Sequence, residues 1–246
     1  MKIGIVGYGI VGKATHQGLI NDDCDVVCHD PVLETKKEIL YDCDIVFICV
    51  PTDNYDHVQN VYRICEYLHN NSDCEIVIRC TVPPGTTADI NKKFNSKVMF
   101  MPEFLRERHW MKDCSRTVVL LGNDFDNKKV RFLKPSLITV SSQEAELVKI
   151  MNNVYATVNI AFANHIYDWC NPLNTDYSKV KDLFLMFRNG QDYLECNENL
   201  RGFGGKCLPP NLDFVITELK KHNIDEEFFS AIKNDNTKWP TSLRND

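Results

Sequence analysis

No stretch of this chain stays apolar for the roughly 20 residues that a membrane-crossing helix needs, which excludes a transmembrane helix. A basic excess is also missing. Lys and Arg total 28 against 34 Asp and Glu, and a formal charge of −6 gives no counterion-release drive toward nucleic acid. The opening MKIGIVGYG has too short an apolar part, and turns glycine-rich too soon, for a secretory signal. There is no CxxC pair and the seven histidines are scattered, which argues against a zinc site or any other metal. Internal repeats and low-complexity segments are lacking too. Cysteine, in contrast, is plentiful, with eleven residues. An odd number with no export signal points to free thiols in a reducing, cytoplasmic compartment rather than to a disulfide framework. Cys49 in DIVFICV and Cys80 in EIVIRC sit in apolar runs, where cysteine behaves as a small buried hydrophobe. Any one cysteine is therefore expected to be core filler, and a reactive one must be argued from its neighbours.

The remaining composition, 43% hydrophobic and 25% charged over 246 residues, suits one large globular domain or two modest ones. KIGIVG, CDVVCHD, CDIVFICV, EIVIRC, KVMFM and TVVLLG read as strands, and GIVGKATHQGLI and HVQNVYRICEYL as helices. This alternation predicts an α/β fold over residues 1–140, a Rossmann-like doubly wound parallel sheet. From Ser142 to Trp169 there is no Gly or Pro, and Leu147, Ile150, Met151, Val154, Val158, Ala161, Phe162 and Ile166 recur at helical steps. That predicts one amphipathic helix of about 40 Å, opened by a capping box of Ser141 and Glu144. An apolar stripe so wide packs either within the chain or against a second copy, and we expect a homodimer through helix 142–169. No strand signal follows residue 140, so residues 141–246 read as an all-helical domain around this helix.

Gly7-Tyr8-Gly9-Ile10-Val11-Gly12 forms a GxGxxG between the first strand and the first helix. In that context the glycines serve the tight turn, the approach of a pyrophosphate and close helix–strand packing, and the helix N-terminus offers free amides to phosphate. Asp30 ends the second strand, 18 residues beyond Gly12. A carboxylate there accepts hydrogen bonds from a ribose and repels a 2′-phosphate, which favours NAD over NADP. Val50-Pro51-Thr52 and the Thr81 loop of CTVPPGTT lie at later strand ends, where doubly wound sheets bind ligands.

Glu103, in MPEFLRERHWMKDC, follows a strand and should emerge at the same edge, with Arg106 and Glu107 nearby. On the long helix, Glu146, Lys149 and Asn153 share one face, either solvated or lining a cleft. Cys207 lies in RGFGGKCLPPN, where Gly202, Gly204 and Gly205 allow close approach and Pro209 suits a helix start. With Lys206 and Arg201 beside it, this is an electropositive setting of the kind that makes a thiol a nucleophile.

Taken in order, GYGIVG, VPT, TVPPGTT, PEFLRE, AELVKIMNN and GFGGKC resemble the UDP-glucose/GDP-mannose dehydrogenase family, over residues 1 to about 237. The resemblance implies a four-electron oxidation of a sugar C6 alcohol to a carboxylate with NAD, on a nucleotide-sugar substrate such as UDP-glucose. It implies that Gly7 to Gly12, Asp30, Val50, Pro51, Thr52, Thr81 and Glu107 serve the cofactor. Phe104, Leu105, Arg106, Arg201, Phe203 and Gly204 would bound the sugar, together with Lys149 and Asn153. Cys207 would form the thiohemiacetal and thioester, Glu103 would activate the hydrolytic water, and Lys149 with Asn153 would stabilise the oxyanion. Two departures stand out. The family pattern GGxCxxKD reads Gly204-Gly205-Lys206-Cys207-Leu208-Pro209-Pro210-Asn211 here, so an amide stands where a carboxylate is expected. Asn211 can hydrogen-bond but cannot carry a charge or take a proton, which implies slowed turnover. The sequence also ends at KWPTSLRND, with no length left for the family's third, nucleotide-gripping domain. The alternative is a non-catalytic or impaired NAD-binding paralogue acting as the partner of a full-length dehydrogenase. A two-electron alcohol dehydrogenase of similar build would need no thiol.

Overall fold

The computed structural model divides the chain into two compact units, Met1–Lys149 and Ile150–Asn245. The structure describes residues 1–125, 133, 135–171, 173–187, 196–197 and 201–239; the other parts of the expected helical domain, residue 172 and residues 188–195, 198–200 and 240–246, lie outside them.

In the first unit, strands β1 (Lys2–Val6), β2 (Asp25–His29), β3 (Ile45–Ile48), β4 (Glu75–Ile78), β5 (Met99–Phe100), β6 (Val118–Gly122) and β7 (Ser136–Val140) form one sheet in the order β2-β1-β3-β4-β5-β6-β7. All neighbouring pairs are parallel except β5 with β6. Helices α1 (Ile10–Gly18), α2 (Tyr55–Asn71), α3 (Thr86–Phe94) and the short α4 (Trp110–Asp113) connect them. The central strands are apolar on both sides because both sides are covered: every residue of β3, and Ile3, Ile5, Val77 and Ile78, is fully buried. The expected α/β fold is present. β7 was not among the runs expected to be strands. It is an edge strand with mostly exposed residues, so SLITV carries too little apolar signal to stand out.

β1, β3, β4 and β5 run in the same direction, so the loops that follow them open on one edge of the sheet. That edge carries Gly7 to Gly9, Val50 to Thr52, Thr81 to Gly85 and Pro102 to Leu105. Asn54 caps α2 by accepting from the His57 amide at 2.9 Å.

Helix α5 (Ser142–Cys170) opens with the expected capping box. The Ser141 amide and hydroxyl both donate to Glu144 at 2.9 and 2.7 Å, and the Glu144 amide donates back to the serine hydroxyl at 3.3 Å. In the second unit Ile150, Val154 and Ile160 of α5 pack with Phe203, with Leu212 and Ile216 of α7 (Leu208–Lys221), and with Ile232 of α8 (Glu227–Asn236). A second cluster joins Ala163 and Cys170 to Tyr177, the first residue of α6 (Tyr177–Met186), and to Cys196. The apolar stripe divides: Ile150 and Val154 are core, whereas Leu147, Met151 and Phe162 stay about half exposed, as does Tyr155. No helix of the described residues is long and apolar enough to cross a membrane.

Candidate active site

The glycine loop has the form that a dinucleotide needs. Gly7 takes φ +87°, and a side chain there would press on the Cys49 carbonyl at 2.6 Å. A Cβ on Gly12 would fall on the carbonyl of Gly7, while one on Gly9 would meet nothing within 4 Å. The backbone is therefore tight behind the loop and open in front of it. Helix α1 begins at Ile10 with no side-chain cap and no acidic residue in its first turn, leaving its amides available to an anion. Asp30 accepts from the Tyr8 amide at 2.7 Å and the Val32 amide at 2.8 Å, and these bonds hold its carboxyl below the usual range. Beside it is a cavity of about 500 Å³ lined by Gly7, Asp30, Val50, Pro51, Arg63 and Tyr67 among others. The open glycine, uncapped helix, ionised aspartate and adjoining cavity fit the pyrophosphate and adenosine of NAD. Thr52 and Thr81 are half-buried on the same edge, whereas Glu107 is exposed in a short turn.

Glu103 and Lys149 meet at 2.7 Å, both buried. The other Glu103 oxygen accepts from the Leu105 amide at 2.6 Å. Burial alone would push the Glu103 carboxyl up. The charge and hydrogen bond of Lys149, the Leu105 amide and the Arg79 guanidinium reverse this and leave it below its ordinary value. Phe104 lies between two cations, with the Arg116 guanidinium 5.8 Å and the Lys149 ammonium 5.6 Å from its ring centre. Arg106 is turned to Asp113, which accepts from its amide and, bidentately, from its guanidinium at 2.8 to 3.0 Å. These bonds hold Asp113 down to about 2.

Glu146, Lys149 and Asn153 are 0%, 3% and 7% exposed, so the face they share is buried and not solvated. Glu146 latches the Thr81 loop: its carboxylate accepts from the Gly85 amide at 2.6 Å, the Thr87 amide at 2.8 Å and the Thr87 hydroxyl at 2.6 Å, all at the start of α3. Arg79, which the sequence reading passed over, is buried at the end of β4. It donates to the Thr15 hydroxyl at 3.2 Å and to the carbonyls of Met101 and Pro102 at 3.1 and 3.3 Å, fixing the backbone that leads into Glu103. The signal was available, because an arginine inside EIVIRC must find acceptors when buried.

In the second unit Cys207 is exposed and stands at the N-cap of α7. Pro209 and Pro210 follow in the first turn, so Leu208 is the only one of the first three helical residues with an amide proton. Arg201, expected to lend charge to the thiol, is committed elsewhere. It pairs with Asp168 at 2.7 Å and stacks 3.4 Å from the Trp239 ring centre. The Phe203 side chain belongs to the core, and Gly204 is half-buried. Asn153 Nδ2 is buried and has no hydrogen-bond partner among the described residues. Asn211 donates to the Cys207 carbonyl at 2.7 Å, and its own Oδ1 is buried with no hydrogen-bond partner among the described residues. An ionised carboxylate could not make that bond. Asn211→Asp is therefore expected to lose about 1–3 kcal/mol of stability at neutral pH. The new carboxyl would be pushed up in the folded state, so the deficit is complete above its raised pKa and vanishes below the unfolded value of about 4. Thermal unfolding across that range checks this.

The sequence matches the NAD binding domain of the UDP-glucose/GDP-mannose dehydrogenase family over residues 31–131, and that family's central domain over residues 143–238. The UDP-glucose 6-dehydrogenase of Rickettsia conorii is 28% identical over 234 residues, covering 83% of this chain and 51% of that protein. The protein of the same name from Campylobacter jejuni is 29% identical over 214 residues, covering 80% and 53%. The chain thus spans about half the length of these curated relatives. Among solved structures, a UDP-glucose dehydrogenase from Pyrobaculum islandicum superposes with a TM-score of 0.76 at 19% identity, over 96% of this chain and 68% of that one. The 3-hydroxyisobutyrate dehydrogenase of Mycobacterium tuberculosis reaches 0.71 at 11% identity, over 96% and 92%, a likeness of fold alone. With an NAD-binding domain and a central domain both matched in order, this chain belongs to the UDP-glucose/GDP-mannose dehydrogenase family.

Proposed function

We propose that the chain is a nucleotide-sugar 6-dehydrogenase that oxidises the C6 alcohol of UDP-glucose, or of a related UDP- or GDP-sugar, to the uronate through Cys207. The observation that carries this reading is the state of the thiols: of eleven free cysteines, Cys207 alone is exposed, and it stands at the N-terminus of a helix. A thiol nucleophile is needed for the aldehyde-to-acid stage and not for a simple alcohol–ketone oxidation.

The loop Gly7–Gly12 and Asp30 would hold NAD, which when bound would supply the hydride acceptor for the two oxidations. The Cys207 sulfur adds to the aldehyde carbon, forming a C–S bond while the carbonyl oxygen takes up a proton. Loss of a hydride from C6 and of the hydroxyl proton leaves a thioester. Water then breaks the C–S bond, releasing the acid and returning the thiol. Glu103, ionised at neutral pH, accepts the proton of that water. The Lys149 ammonium and the unpaired Asn153 amide are donors for the developing oxyanion. Thr81 would face the nicotinamide and Thr52 and Glu107 would serve the rest of the cofactor, while Asn211 fixes the Cys207 turn. Phe104, Leu105 and Arg106 serve the sugar, as does Gly204 of the thiol loop, while Arg201 and Phe203, held in the packing of the second unit, shape that loop. Residues 1–140 form the cofactor domain and residues 141–246 the domain that presents the thiol. The exposed Leu147, Met151, Tyr155 and Phe162 supply an apolar face for a homodimer through the long helix. Eleven free thiols suit a reducing, cytoplasmic compartment.

The test is NADH formation from NAD with UDP-glucose and then with other UDP- and GDP-sugars. Two NADH per sugar and a transient adduct on the Cys207 peptide are expected. Failure to form NADH with every sugar, in protein shown to bind NAD, overturns the reading and leaves an NAD-binding partner protein.

A further inference from the structure

We infer that Asn236, the last residue of α8, is a positioning residue for Cys207: its carboxamide pairs with the backbone of Phe203 as a neighbouring strand would, and so fixes the loop that presents the thiol. This rests on the reading of Cys207 as the nucleophile.

The loop Arg201–Lys206 belongs to no helix or strand, so its polar backbone groups need partners from elsewhere. The Phe203 amide donates to Asn236 Oδ1 at 2.7 Å, and Asn236 Nδ2 donates to the Phe203 carbonyl at 2.8 Å. A carboxamide has the donor and acceptor of a peptide group, so one side chain satisfies both backbone groups of Phe203. The orientation of the amide is fixed by chemistry, because turning it over would set oxygen against oxygen and N–H against N–H. The Phe203 ring, locked in the core with Leu212 and Ile216, holds the residue in place but leaves its peptide planes free to turn. Asn236 removes that freedom.

Gly202 shows how closely the loop approaches α8. It takes φ +69°, and a Cβ there would lie 2.9 Å from Asn236 Oδ1 and 3.2 Å from Trp239 Cβ. Trp239 is also the ring on which Arg201 stacks, and Arg201 is tied to Asp168 of α5. Arg201 is thus held by Trp239, three residues beyond α8, and Phe203 by Asn236 at its end, with Gly202 fitted closely between them. Gly205, two residues before the thiol, takes φ +78°. Beyond it, Asn211 holds the Cys207 carbonyl. Turning the Phe203 peptide would be transmitted through three residues to the sulfur.

Two variants test this, Asn236→Ala and Asn236→Asp, each read by hydrogen exchange of the 201–207 segment and by the rate at which iodoacetamide labels the Cys207 peptide. In Asn236→Ala, exchange at the Phe203 amide is expected to accelerate about tenfold or more while α7 keeps its protection, and Cys207 labelling should change at least about threefold. In Asn236→Asp, the ionised carboxylate accepts from the Phe203 amide but cannot donate to its carbonyl. Loop protection, corrected for the intrinsic pH dependence of exchange, should therefore recover as pH falls through about 4, where the protonated acid makes both bonds again. Wild-type exchange and labelling in Asn236→Ala would overturn the inference. If the alanine variant does not fold, a loop protection in Asn236→Asp that is independent of pH would overturn it. Neither readout requires turnover. If Cys207→Ser retains full activity, the proposed function fails while the positioning of residue 207 is still decided.

Discussion

Lys149→Met is expected to cost about 3–5 kcal/mol of folding stability at neutral pH, because it leaves the Glu103 carboxylate buried without its cation. Methionine fills much of the lysine volume, so the loss is electrostatic and not a cavity effect. In the native protein the Glu103 carboxyl lies below its ordinary value in spite of burial, and Lys149 is the main reason. A depressed carboxylate contributes stability above its unfolded pKa and loses that contribution as pH falls through its folded value. Without Lys149, burial acts unopposed except by the Leu105 amide and Arg79, and the folded pKa rises above the unfolded one. The gap between variant and wild type should therefore be smallest at acid pH, open as pH rises past the depressed wild-type value, and be complete at neutral pH. Denaturant titrations at these pH values would show it. A gap of constant size would mean that the pair contributes through packing.

Cys207→Ser should lower kcat for NADH formation by on the order of 10³-fold or more, with NAD affinity unchanged. A serine hydroxyl is a far poorer nucleophile than a thiolate at neutral pH, so the route through a covalent intermediate closes. The same substitution should remove the single fast-reacting thiol from iodoacetamide labelling, since the other ten cysteines are buried or half-buried. Turnover that survives would point to a two-electron oxidation with no covalent stage.

The first unit was legible because its signals are local. The GxGxxG falls between strand and helix, the apolar runs of β3 and β4 need no tertiary knowledge, and Ser141 with Glu144 announces the start of α5. β7 was not legible, because an exposed edge strand has little hydrophobic pattern to offer. The candidate site was legible as a set of residue types, and less so as a set of contacts. The spacing of Glu146, Lys149 and Asn153 placed them on one face, but only tertiary packing decides that this face is buried. Arg201 looked like a charge for the thiol because it is near in sequence, whereas its partners Asp168 and Trp239 are 33 and 38 residues away. Asn236 lies outside every motif, and its role depends on a contact across 33 residues of the second unit.

The Glu146 latch bears on how the protein can be taken apart. The natural place to cut, judged from the change in pattern, is near residue 140, yet the compact unit runs on to Lys149. A fragment ending at 140 would lack both the carboxylate that closes the amides of Gly85 and Thr87 and the ammonium that neutralises Glu103. It would keep the whole sheet and still be the wrong piece to express. The first two turns of α5 have to travel with the nucleotide-binding half for that half to stand alone.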